Sequence, residues 1–524
     1  MMPSRITRII IALALLMPAA ATALAAGELG DVGTTWIVDE MIRVGPEDAA
    51  GTTTSITLEA ARGEYVAFQP VVRANTGPLN NVRVTASALV GPGTISPENI
   101  EVYRESFLAL PTSTPHQGTS KPLPPGTYPD GLIPTKNPAD GTPVPPGAPL
   151  RAQNHTISAG ETQPYWVDVF IPRTAPPGGY KGTVTIQAEE GTSTLEIDLT
   201  VWKFTLPTTP SLKSSFGMWA RPHNKQDYIE LMNHRLMPVA DASVHGDLKA
   251  LGMSVGDLNF YSGANVSKCS MSPPPSPEDL RAAKSSQPSG LDLYNFTADE
   301  IGKCKGLMKK LKKWAEALHS VGVKQLITMP PRPELYGSVD IWVMLPGQFV
   351  EKRPDLTAVK AAGGEIWSYT SMNQDSYSPK WQIDFSPMNH RIYGLLNQSV
   401  GATGLLYWTV DYWTSDPWTN PYSWQGSYPG DGVLVYPGDK VGLSMVVPSM
   451  RLKYIRSAVQ DYEYVELLSK ADRRDWALET IRQIARDWQH WSDDPQQLRA
   501  VRHSLAVELD RVTAGENMTE RAAQ

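Results

Sequence analysis

The chain has 524 residues, more than a single hydrophobic core usually fills, so we expect two or more domains. The formal net charge of -7 offers no basic surface to nucleic acid, which excludes that class of partner. The 15 Trp and 20 Tyr outnumber the 9 Phe. Aromatic rings with a polar edge suit the faces of sugars, and they suit packing and protein interfaces as well.

Residues 1–25 have the pattern of a secretory signal peptide. Arg5 and Arg8 precede an apolar run from Ile9 to Met17, and residues 23–25 form a cleavage site of small residues. The apolar run is too short to span a bilayer as a helix. We therefore expect cleavage near residue 25, export to the periplasm or the extracellular space, and no stable membrane insertion.

Residues 26–208 have the composition and spacing of a β-sandwich domain. Short runs of alternating apolar and polar residues recur, for example at 65–72, 165–171 and 195–201, with turn residues between them. This pattern is typical of antiparallel sheets packed face to face. Residues 111–150 are crowded with Pro and Gly, and we interpret them as a long surface loop that reaches towards the next domain.

From residue 209 to 448, strand-like and helix-like segments alternate, which predicts a parallel sheet and, from the number of units, a (β/α)8 (TIM) barrel. Seven strands are recognisable, and the eighth is missing or irregular and is expected within 245–290. The seven are predicted at 214–219, 238–244, 293–300, 324–329, 339–343, 365–370 and 404–409. Residues 449–524 are helical in pattern, and we expect them to pack on the barrel.

The cysteine and histidine spacings point to no metal site. Cys269 and Cys304 are the only cysteines, and they are too few and too far apart for a zinc site. In an exported protein they can form a disulfide, and two separate thiols are an equal alternative because the sequence does not show proximity. The nine His show no metal-ligand spacing. We expect neither a metal nor an organic cofactor.

Asp299 and Glu300 are adjacent carboxylates where a predicted strand gives way to a predicted helix over 301–321. The carboxyl end of a barrel strand is where barrel enzymes place their chemistry, and the charge of one carboxylate favours the protonated form of the other. A structural interpretation competes with this one. Thr297 and Glu300 match a capping box, in which both side chains cap the first turn of a helix.

Several motifs along the chain carry a family resemblance. They are 58–69 (LEAARGEYVAFQ), 126–132 (GTYPDGL), 176–182 (PPGGYKG), 404–408 (GLLYW), 416–418 (DPW), 430–432 (GDG), 436–438 (YPG), 451–456 (RLKYIR) and 461–464 (DYEY). Together they resemble glycoside hydrolase family 123, the β-N-acetylgalactosaminidase family. The resemblance implies a β-sandwich followed by a (β/α)8 barrel, and a catalytic Asp-Glu pair on a barrel strand, which Asp299 and Glu300 match. Position 301 departs from the family pattern, with Ile in place of the usual Pro.

The position of the pair in the sequence bears on the mechanism. Ordinary retaining glycosidases use two carboxylates about 5 Å apart, an acid and a nucleophile. Neighbouring residues reach one side of the scissile bond more easily than opposite sides, which favours substrate assistance, in which the 2-acetamido oxygen of the sugar attacks C1 and forms an oxazoline. We assign Glu300 as general acid and then general base, and Asp299 as the residue that orients the acetamido N–H.

A second set of residues at or beyond the predicted strand ends is assigned to substrate binding: Trp219, Arg221, His223, Trp367, Tyr369, Trp408, Asp411 and Trp413. The aromatic members suit a wall around the sugar, and core packing is the alternative for each of them. We expect Tyr369, or Tyr407 in its place, to hydrogen-bond the acetamido oxygen. For the polar members, salt bridges within loops are the alternative.

The hypothesis from the sequence is an exported, retaining exo-glycosidase that releases β-linked N-acetylgalactosamine from glycans. Its partner is a glycan with a terminal β-N-acetylhexosamine. Two alternatives stay open: a non-catalytic carbohydrate-binding protein on the same fold, and a glycosidase for another sugar that uses a separate second carboxylate. Galactosamine and glucosamine differ at one hydroxyl, and the sequence does not identify the residue that would bind it.

Overall fold

The computed structural model describes residues 27–115, 121–372, 375–424 and 426–523. The predicted signal peptide lies outside these ranges, so it stays a prediction. Within them, no helix is both long enough and apolar enough to cross a lipid bilayer.

The N-terminal part is a β-sandwich, as predicted. The first sheet has the strand order β1-β2-β4-β11-β8-β9, and the second has the order β10-β5-β12-β13-β3, with β6 beside β12 and β7 beside β6. The strands are β1 (Gly27–Leu29), β2 (Gly33–Asp39), β3 (Ser55–Arg62), β4 (Tyr65–Ala74), β5 (Leu79–Ala86), β6 (Leu89–Val90), β7 (Thr94–Ile95), β8 (Ile100–Leu110), β9 (Gly126–Pro134), β10 (His155–Ile157), β11 (Thr162–Phe170), β12 (Gly178–Ala188) and β13 (Gly191–Thr205).

The core of the sandwich follows from the alternation that the sequence shows. In β13, Leu195, Ile197, Leu199 and Val201 are buried between the two sheets, and the residues between them are more exposed. Successive side chains of a strand point to opposite faces, so every second apolar residue is enough to fill the space between the sheets.

The second domain is a barrel of parallel strands. Its sheet has the order β14-β20-β19-β18-β17-β16-β15. The strands are β14 (Lys213–Phe216), β15 (Val255–Asp257), β16 (Asp292–Asp299), β17 (Lys324–Thr328), β18 (Ile341–Met344), β19 (Glu365–Tyr369) and β20 (Gly404–Tyr407).

A short eighth element nearly closes the barrel beside β14. Phe216 N–H donates to the Met237 carbonyl at 3.0 Å, and Val239 N–H donates to the Phe216 carbonyl at 2.8 Å. The strand predicted at 238–244 is therefore only a bridge at Pro238. The strand that the sequence pattern left out is β15, which lies within 245–290 as expected.

Helices cover the outside of the barrel and form the C-terminal segment. They are α1 (Lys225–Asn233), α2 (His245–Ala250), α3 (Pro277–Ser285), α4 (Met308–Ser320), α5 (Pro346–Lys352), α6 (Leu356–Ala361), α7 (Pro387–Arg391), α8 (Tyr393–Val400), α9 (Met450–Lys470), α10 (Arg474–Ile481) and α11 (Pro495–Ala523). Three antiparallel strand pairs complete the inventory: β21 (Tyr422–Ser423) with β22 (Tyr428–Pro429), β23 (Val435–Tyr436) with β24 (Val447–Pro448), and β25 (Ala485–Asp487) with β26 (His490–Trp491).

The helix predicted over 301–321 begins later than expected. Two 3-10 turns, Ile301–Lys303 and Lys305–Leu307, come first, and α4 starts at Met308. The stripe of Leu311, Trp314 and Leu318 is buried against the barrel, because these residues recur at the spacing of one helix face.

Residues 111–150 differ from the predicted surface loop. They contain β9, which pairs with β8 and carries the buried Asp130 to the barrel domain. There the Asp130 carboxylate accepts two hydrogen bonds from Arg451 of α9, at 2.8 and 2.9 Å. The C-terminal helices contact both domains: α9 packs on α7 and α8 of the barrel, and α11 packs on β13 of the sandwich.

Candidate active site

A β-bulge at Thr297 determines where Asp299 points. The pairing between β16 and β17 is regular up to Phe296 and Leu326, and it resumes at Ala298 and Ile327 with one extra residue in β16. Phe296 packs against the inner core of the barrel, whereas Ala298 packs against the outer helices. The extra residue shifts the alternation, so Asp299 lies on the inner side, beside Thr328.

The Glu300 side chain reaches the same inner side of the barrel because of its backbone conformation. Its backbone has φ 47° and ψ 34°, a left-handed conformation that a residue other than glycine adopts rarely. Its N–H donates to the carbonyl oxygen of Thr328 at 3.0 Å and to the Thr328 hydroxyl at 2.8 Å. The Tyr369 hydroxyl donates to Glu300 Oε1 at 2.6 Å. The strand ends here, and the chain turns over the mouth of the barrel.

The capping-box interpretation is wrong. Thr297 is a buried strand residue whose hydroxyl accepts a hydrogen bond from Asn295, and neither it nor Glu300 caps a helix through its side chain. The bulge and the left-handed turn place both carboxylates at the solvent-exposed carboxyl end of β16 instead. The local sequence favoured capping because Thr297 and Glu300 match the capping-box motif. It contains no signal for a β-bulge.

The electrostatics of the site couple three side chains. Removal of water by the surrounding protein raises the pKa of Asp299, and the Glu300 charge adds to this, while the hydrogen bond from Thr328 to Asp299 Oδ1 lowers it. Burial also raises the pKa of Tyr369, as do the Glu300 charge and the hydrogen bond to Glu300. Tyr369 therefore keeps its proton and acts as a hydrogen-bond donor.

A cavity of about 200 Å³ opens at the barrel mouth, lined by Trp219, Asp257, Asn259, Tyr261, Phe296 and Trp408 among others. We call it the mouth cavity. The Tyr261 ring contacts Phe296, with centroids 6.0 Å apart, and burial and the nearby Asp299 charge both raise the pKa of Tyr261. Asp299 is therefore close to Tyr261, so the acidic pair is next to the mouth cavity without being among the residues that line it.

Two predicted aromatic residues, Trp219 and Trp408, line the mouth cavity. The Trp219 side chain is 58% exposed, and its Nε1 donates to the Trp408 carbonyl at 2.7 Å. Their rings form a cluster with Tyr412 and Trp424, with neighbouring centroids 5.0–6.1 Å apart. An exposed aromatic surface of this kind suits a sugar face.

Trp367 does not reach the site. It has no exposed surface and lies in the barrel core, where its ring contacts Tyr294 and fills the space beside Gly404. A Cβ at Gly404 would lie 2.2 Å from the Trp367 ring, so the pair is a packing unit. The core-packing alternative is correct for Trp367.

Arg221 and Trp413 stack on each other in a different concavity. The Arg221 guanidinium lies 4.1 Å from the Trp413 ring centroid, and both residues line a cleft of about 610 Å³ with Asp416, Asp439 and Lys440. This cleft and the mouth cavity share no lining residue. The structure therefore separates these two predicted substrate-binding residues from the acidic pair.

His223 and Asp411 bind each other and present no free polar group. His223 Nε2 lies 2.8 Å from Asp411 Oδ2, His223 Nδ1 lies 3.1 Å from Asp227 Oδ2, and all three side chains are buried. Burial lowers the pKa of His223, but the hydrogen bonds and charges of the two carboxylates outweigh it, so the pKa lies above the usual value. For these residues the salt-bridge alternative is correct.

Two polar residues of the site, Thr328 and Asp257, were not predicted from the sequence. The Thr328 hydroxyl bridges Asp299 and the Glu300 N–H, and Thr328 lies next to the end of the strand predicted at 324–329, so its position was a usable signal. Asp257 is a buried carboxylate that lines the mouth cavity from the end of β15. That strand has three residues, too few to show a period, which is why no signal pointed to it.

The two cysteines form a disulfide, Cys269–Cys304, which settles the alternative that the sequence left open. It links the loop after β15 to the turns that follow Glu300. Within the described ranges, no group of three or more His, Cys, Asp or Glu side chains has the arrangement to hold a metal ion.

A β-sandwich joined to a parallel barrel with an acidic pair at the carboxyl end of a strand defines a barrel glycoside hydrolase. The chain belongs to glycoside hydrolase family 123. The model of the family's catalytic domain matches residues 336–468, and the model of its N-terminal domain matches residues 42–188, together more than half of the chain. Asp299 and Glu300 precede the matched catalytic segment.

One of the solved structures compared, that of a family 123 enzyme, supports the same fold. A family 123 glycoside hydrolase from Clostridium perfringens, studied for glycolipid glycan hydrolysis, aligns with TM-score 0.64 and 15% identity over 94% of this chain and 100% of that chain. β-Glucuronidases from Parabacteroides merdae and Bacteroides uniformis align with TM-scores of 0.28 and 0.27 at 10% identity, over 76% and 78% of this chain and 49% and 51% of theirs. A search of curated proteins finds no match.

Proposed function

We propose that this glycoside hydrolase is a retaining exo-glycosidase that releases β-linked N-acetylgalactosamine by substrate-assisted catalysis. The observation that carries the proposal is the placement of both Asp299 and Glu300 on one side of the barrel mouth, next to a small cavity. No opposing carboxylate is needed if the sugar supplies the nucleophile.

In the first step, Glu300 donates a proton to the glycosidic oxygen as the bond from C1 to that oxygen breaks. The acetamido carbonyl oxygen of the same sugar forms a bond to C1, which gives a cyclic oxazolinium ion that keeps the N–H proton. Asp299 accepts a hydrogen bond from the acetamido N–H and stabilises the positive charge that develops on that group. Tyr369 donates to Glu300 Oε1, which leaves Oε2 for the transferred proton.

In the second step, a water molecule attacks C1, and Glu300 takes up its proton. The bond between C1 and the acetamido oxygen breaks, and the acetamido group is restored. Two displacements at C1 give net retention of configuration.

The location and the natural substrate are parts of the same proposal. The signal-peptide pattern of residues 1–25 supports export, and a disulfide is a feature of proteins in oxidising compartments. The Clostridium perfringens relative is described by its action on glycolipid glycans. We propose glycolipid glycans with a terminal β-N-acetylgalactosamine as the first substrates to test.

The experiment compares hydrolysis of the p-nitrophenyl β-glycosides of N-acetylgalactosamine, N-acetylglucosamine and galactose. We expect release of nitrophenol from the first at the highest kcat/KM, none from galactose, and inhibition by a thiazoline mimic of the oxazoline. Glu300→Gln is expected to lower kcat strongly on a substrate with a poor leaving group. Glu334→Gln is the matched control, because Glu334 is an exposed carboxylate at the same end of the barrel.

The result can go against the proposal in distinct ways. Full activity of Glu300→Gln on a poor leaving group removes Glu300 as the acid. Resistance to the thiazoline together with a covalent adduct from a 2-fluoro sugar indicates an enzymic nucleophile. Binding of the glycan without turnover by the wild type indicates a carbohydrate-binding protein.

A further inference from the structure

Asp257 is a carboxylate in the mouth cavity that the mechanism above does not use. It is the last residue of β15, pairs in register with Tyr294 of β16, and is 5% exposed. Val255 of the same strand packs in the inner core, so the side chain of Asp257, two residues on, also points inward. β15 is next to the strand that carries the acidic pair.

The hydrogen-bond donors to Asp257 in the described part of the chain are backbone groups rather than cationic side chains. Its Oδ1 accepts hydrogen bonds from the backbone N–H groups of Asn259 at 2.9 Å and Phe296 at 3.2 Å. No Lys, Arg or His of the described residues pairs with it. The buried Asp130 and Asp168, in contrast, are each paired with an arginine.

Both of these hydrogen bonds end on Oδ1, so Oδ2 has acceptor positions that a donor group of a ligand can fill. Burial raises the pKa of Asp257 to about 6, and the backbone donors oppose this without restoring the usual value. Hydroxyl groups of a sugar are the donors that fit, since the cavity walls on either side are the aromatic rings of Trp219, Tyr261 and Trp408.

We propose that Asp257 accepts a hydrogen bond from the hydroxyl at C3 or C4 of the terminal sugar and so sets which hexosamine the enzyme accepts. The inference rests on the proposed function, because it takes the sugar in the mouth cavity to be the one that is cleaved. Asp299 and Glu300 occupy the β16 side, where C1 and the acetamido group must lie. Asp257, on the neighbouring strand, faces the ring positions away from C1.

The test asks whether the loss in kcat/KM on removing one sugar hydroxyl is smaller in an Asp257 variant than in the wild type. Wild type and Asp257→Asn are assayed on the p-nitrophenyl β-glycosides of N-acetylgalactosamine and of its 3-deoxy and 4-deoxy forms. We expect the wild type to lose about 10- to 150-fold in kcat/KM on one deoxy form, the size of a hydrogen bond to a charged group. In Asp257→Asn the same deoxy form should lose less than about threefold, because the bond is already weakened.

Asp247→Asn is the control, since Asp247 is an exposed carboxylate of α2 paired with Lys225 at 3.2 Å. It should keep the wild-type discrimination between all three substrates. Thermal unfolding of each variant separates loss of fold from loss of recognition. If Asp257→Asn does not fold, the wild-type series still decides, because equal kcat/KM on all three substrates overturns the inference.

Two further results overturn the inference about Asp257. The first leaves the proposed function intact, and the second replaces its mechanism. If Asp257→Asn discriminates between the three substrates as the wild type does, Asp257 has a structural role. The proposed hydrolase activity then still stands. A covalent adduct on Asp257 from a 2-fluoro sugar makes it the nucleophile and rejects substrate assistance as well. Absence of any wild-type hydrolysis of hexosaminides refutes the proposed function itself.

Discussion

Thr328→Val removes the one hydroxyl that bridges the Asp299 carboxylate and the Glu300 backbone N–H, without changing the shape of the side chain. The Thr328 hydroxyl donates to Asp299 Oδ1 and accepts from the Glu300 N–H at 2.8 Å. The second hydrogen bond of Glu300 N–H, to the Thr328 carbonyl at 3.0 Å, is independent of the side chain, so the turn keeps a partner in the variant. The change therefore acts mainly on Asp299.

The sign of the effect follows from the pKa of Asp299. Burial raises that pKa, and the Thr328 hydrogen bond opposes it, so the variant raises the pKa further. On acidification, Asp299 then takes up its proton at a higher pH than in the wild type. A hydrogen bond to a charged group contributes about 1.5–3 kcal/mol, so kcat/KM on the acidic limb should fall by about 10- to 150-fold, with a smaller loss on the plateau.

The measurement is kcat/KM on the p-nitrophenyl β-glycoside of N-acetylgalactosamine across the pH range in which the enzyme is stable. Thr328→Ser keeps the hydroxyl and is the matched control, which should retain the wild-type acidic limb. If valine and serine variants give the same profile as the wild type, ionised Asp299 is not required. A uniform loss at every pH for both variants indicates damage to the strand instead.

Three other predictions follow from the contacts of the structure. Tyr369→Phe removes the 2.6 Å hydrogen bond to Glu300 and should lower kcat/KM by about 10- to 150-fold, with an unchanged melting temperature; unchanged kinetics would contradict it. Reduction of Cys269–Cys304, which spans a sequence separation of 35, should lower the free energy of unfolding by about 4 kcal/mol in calorimetry, and a variant with both cysteines replaced by alanine should no longer respond to reductant. Arg451→Met leaves the buried Asp130 carboxylate unpaired and should cost about 3–5 kcal/mol in denaturant unfolding, with partial recovery when Asp130→Asn is added.

The sequence was sufficient for the parts of the fold that repeat a period. The alternation in β13 and the helix stripe of α4 each bury one face, and both patterns extend over enough residues to be recognised. The strand carrying Asp299 was found for the same reason. The three-residue β15 was not found, and the strand predicted at 238–244 is only a bridge at Pro238, because the place of both in the barrel is determined by neighbouring strands rather than by their own residues.

The candidate site was predictable where a strand end reaches the barrel mouth, as it does for the acidic pair, Trp219 and Trp408. Trp219 and Trp408 lie where parallel strands end and remain at the surface. Arg221 and His223 also follow a strand, but the loop turns them towards Trp413 and Asp411, and a pairing between residues about 190 positions apart leaves no local signal. The long-range contacts that these polar residues make with other side chains therefore determine that they do not face the mouth cavity.

Adjacent carboxylates on a regular strand cannot act on one sugar, because successive side chains point to opposite faces. In a regular β16, Phe296 facing inward would place Glu300 inward and Asp299 outward. The extra residue at Thr297 reverses this for Asp299, and the left-handed backbone of Glu300 returns its side chain to the same side. That conformation costs about 1–2 kcal/mol in a residue other than glycine, so it needs support from its surroundings. The two hydrogen bonds from Glu300 N–H to Thr328 and the disulfide at Cys304 supply that support, which ties the geometry of the acidic pair to a strand on one side and to a covalent link on the other.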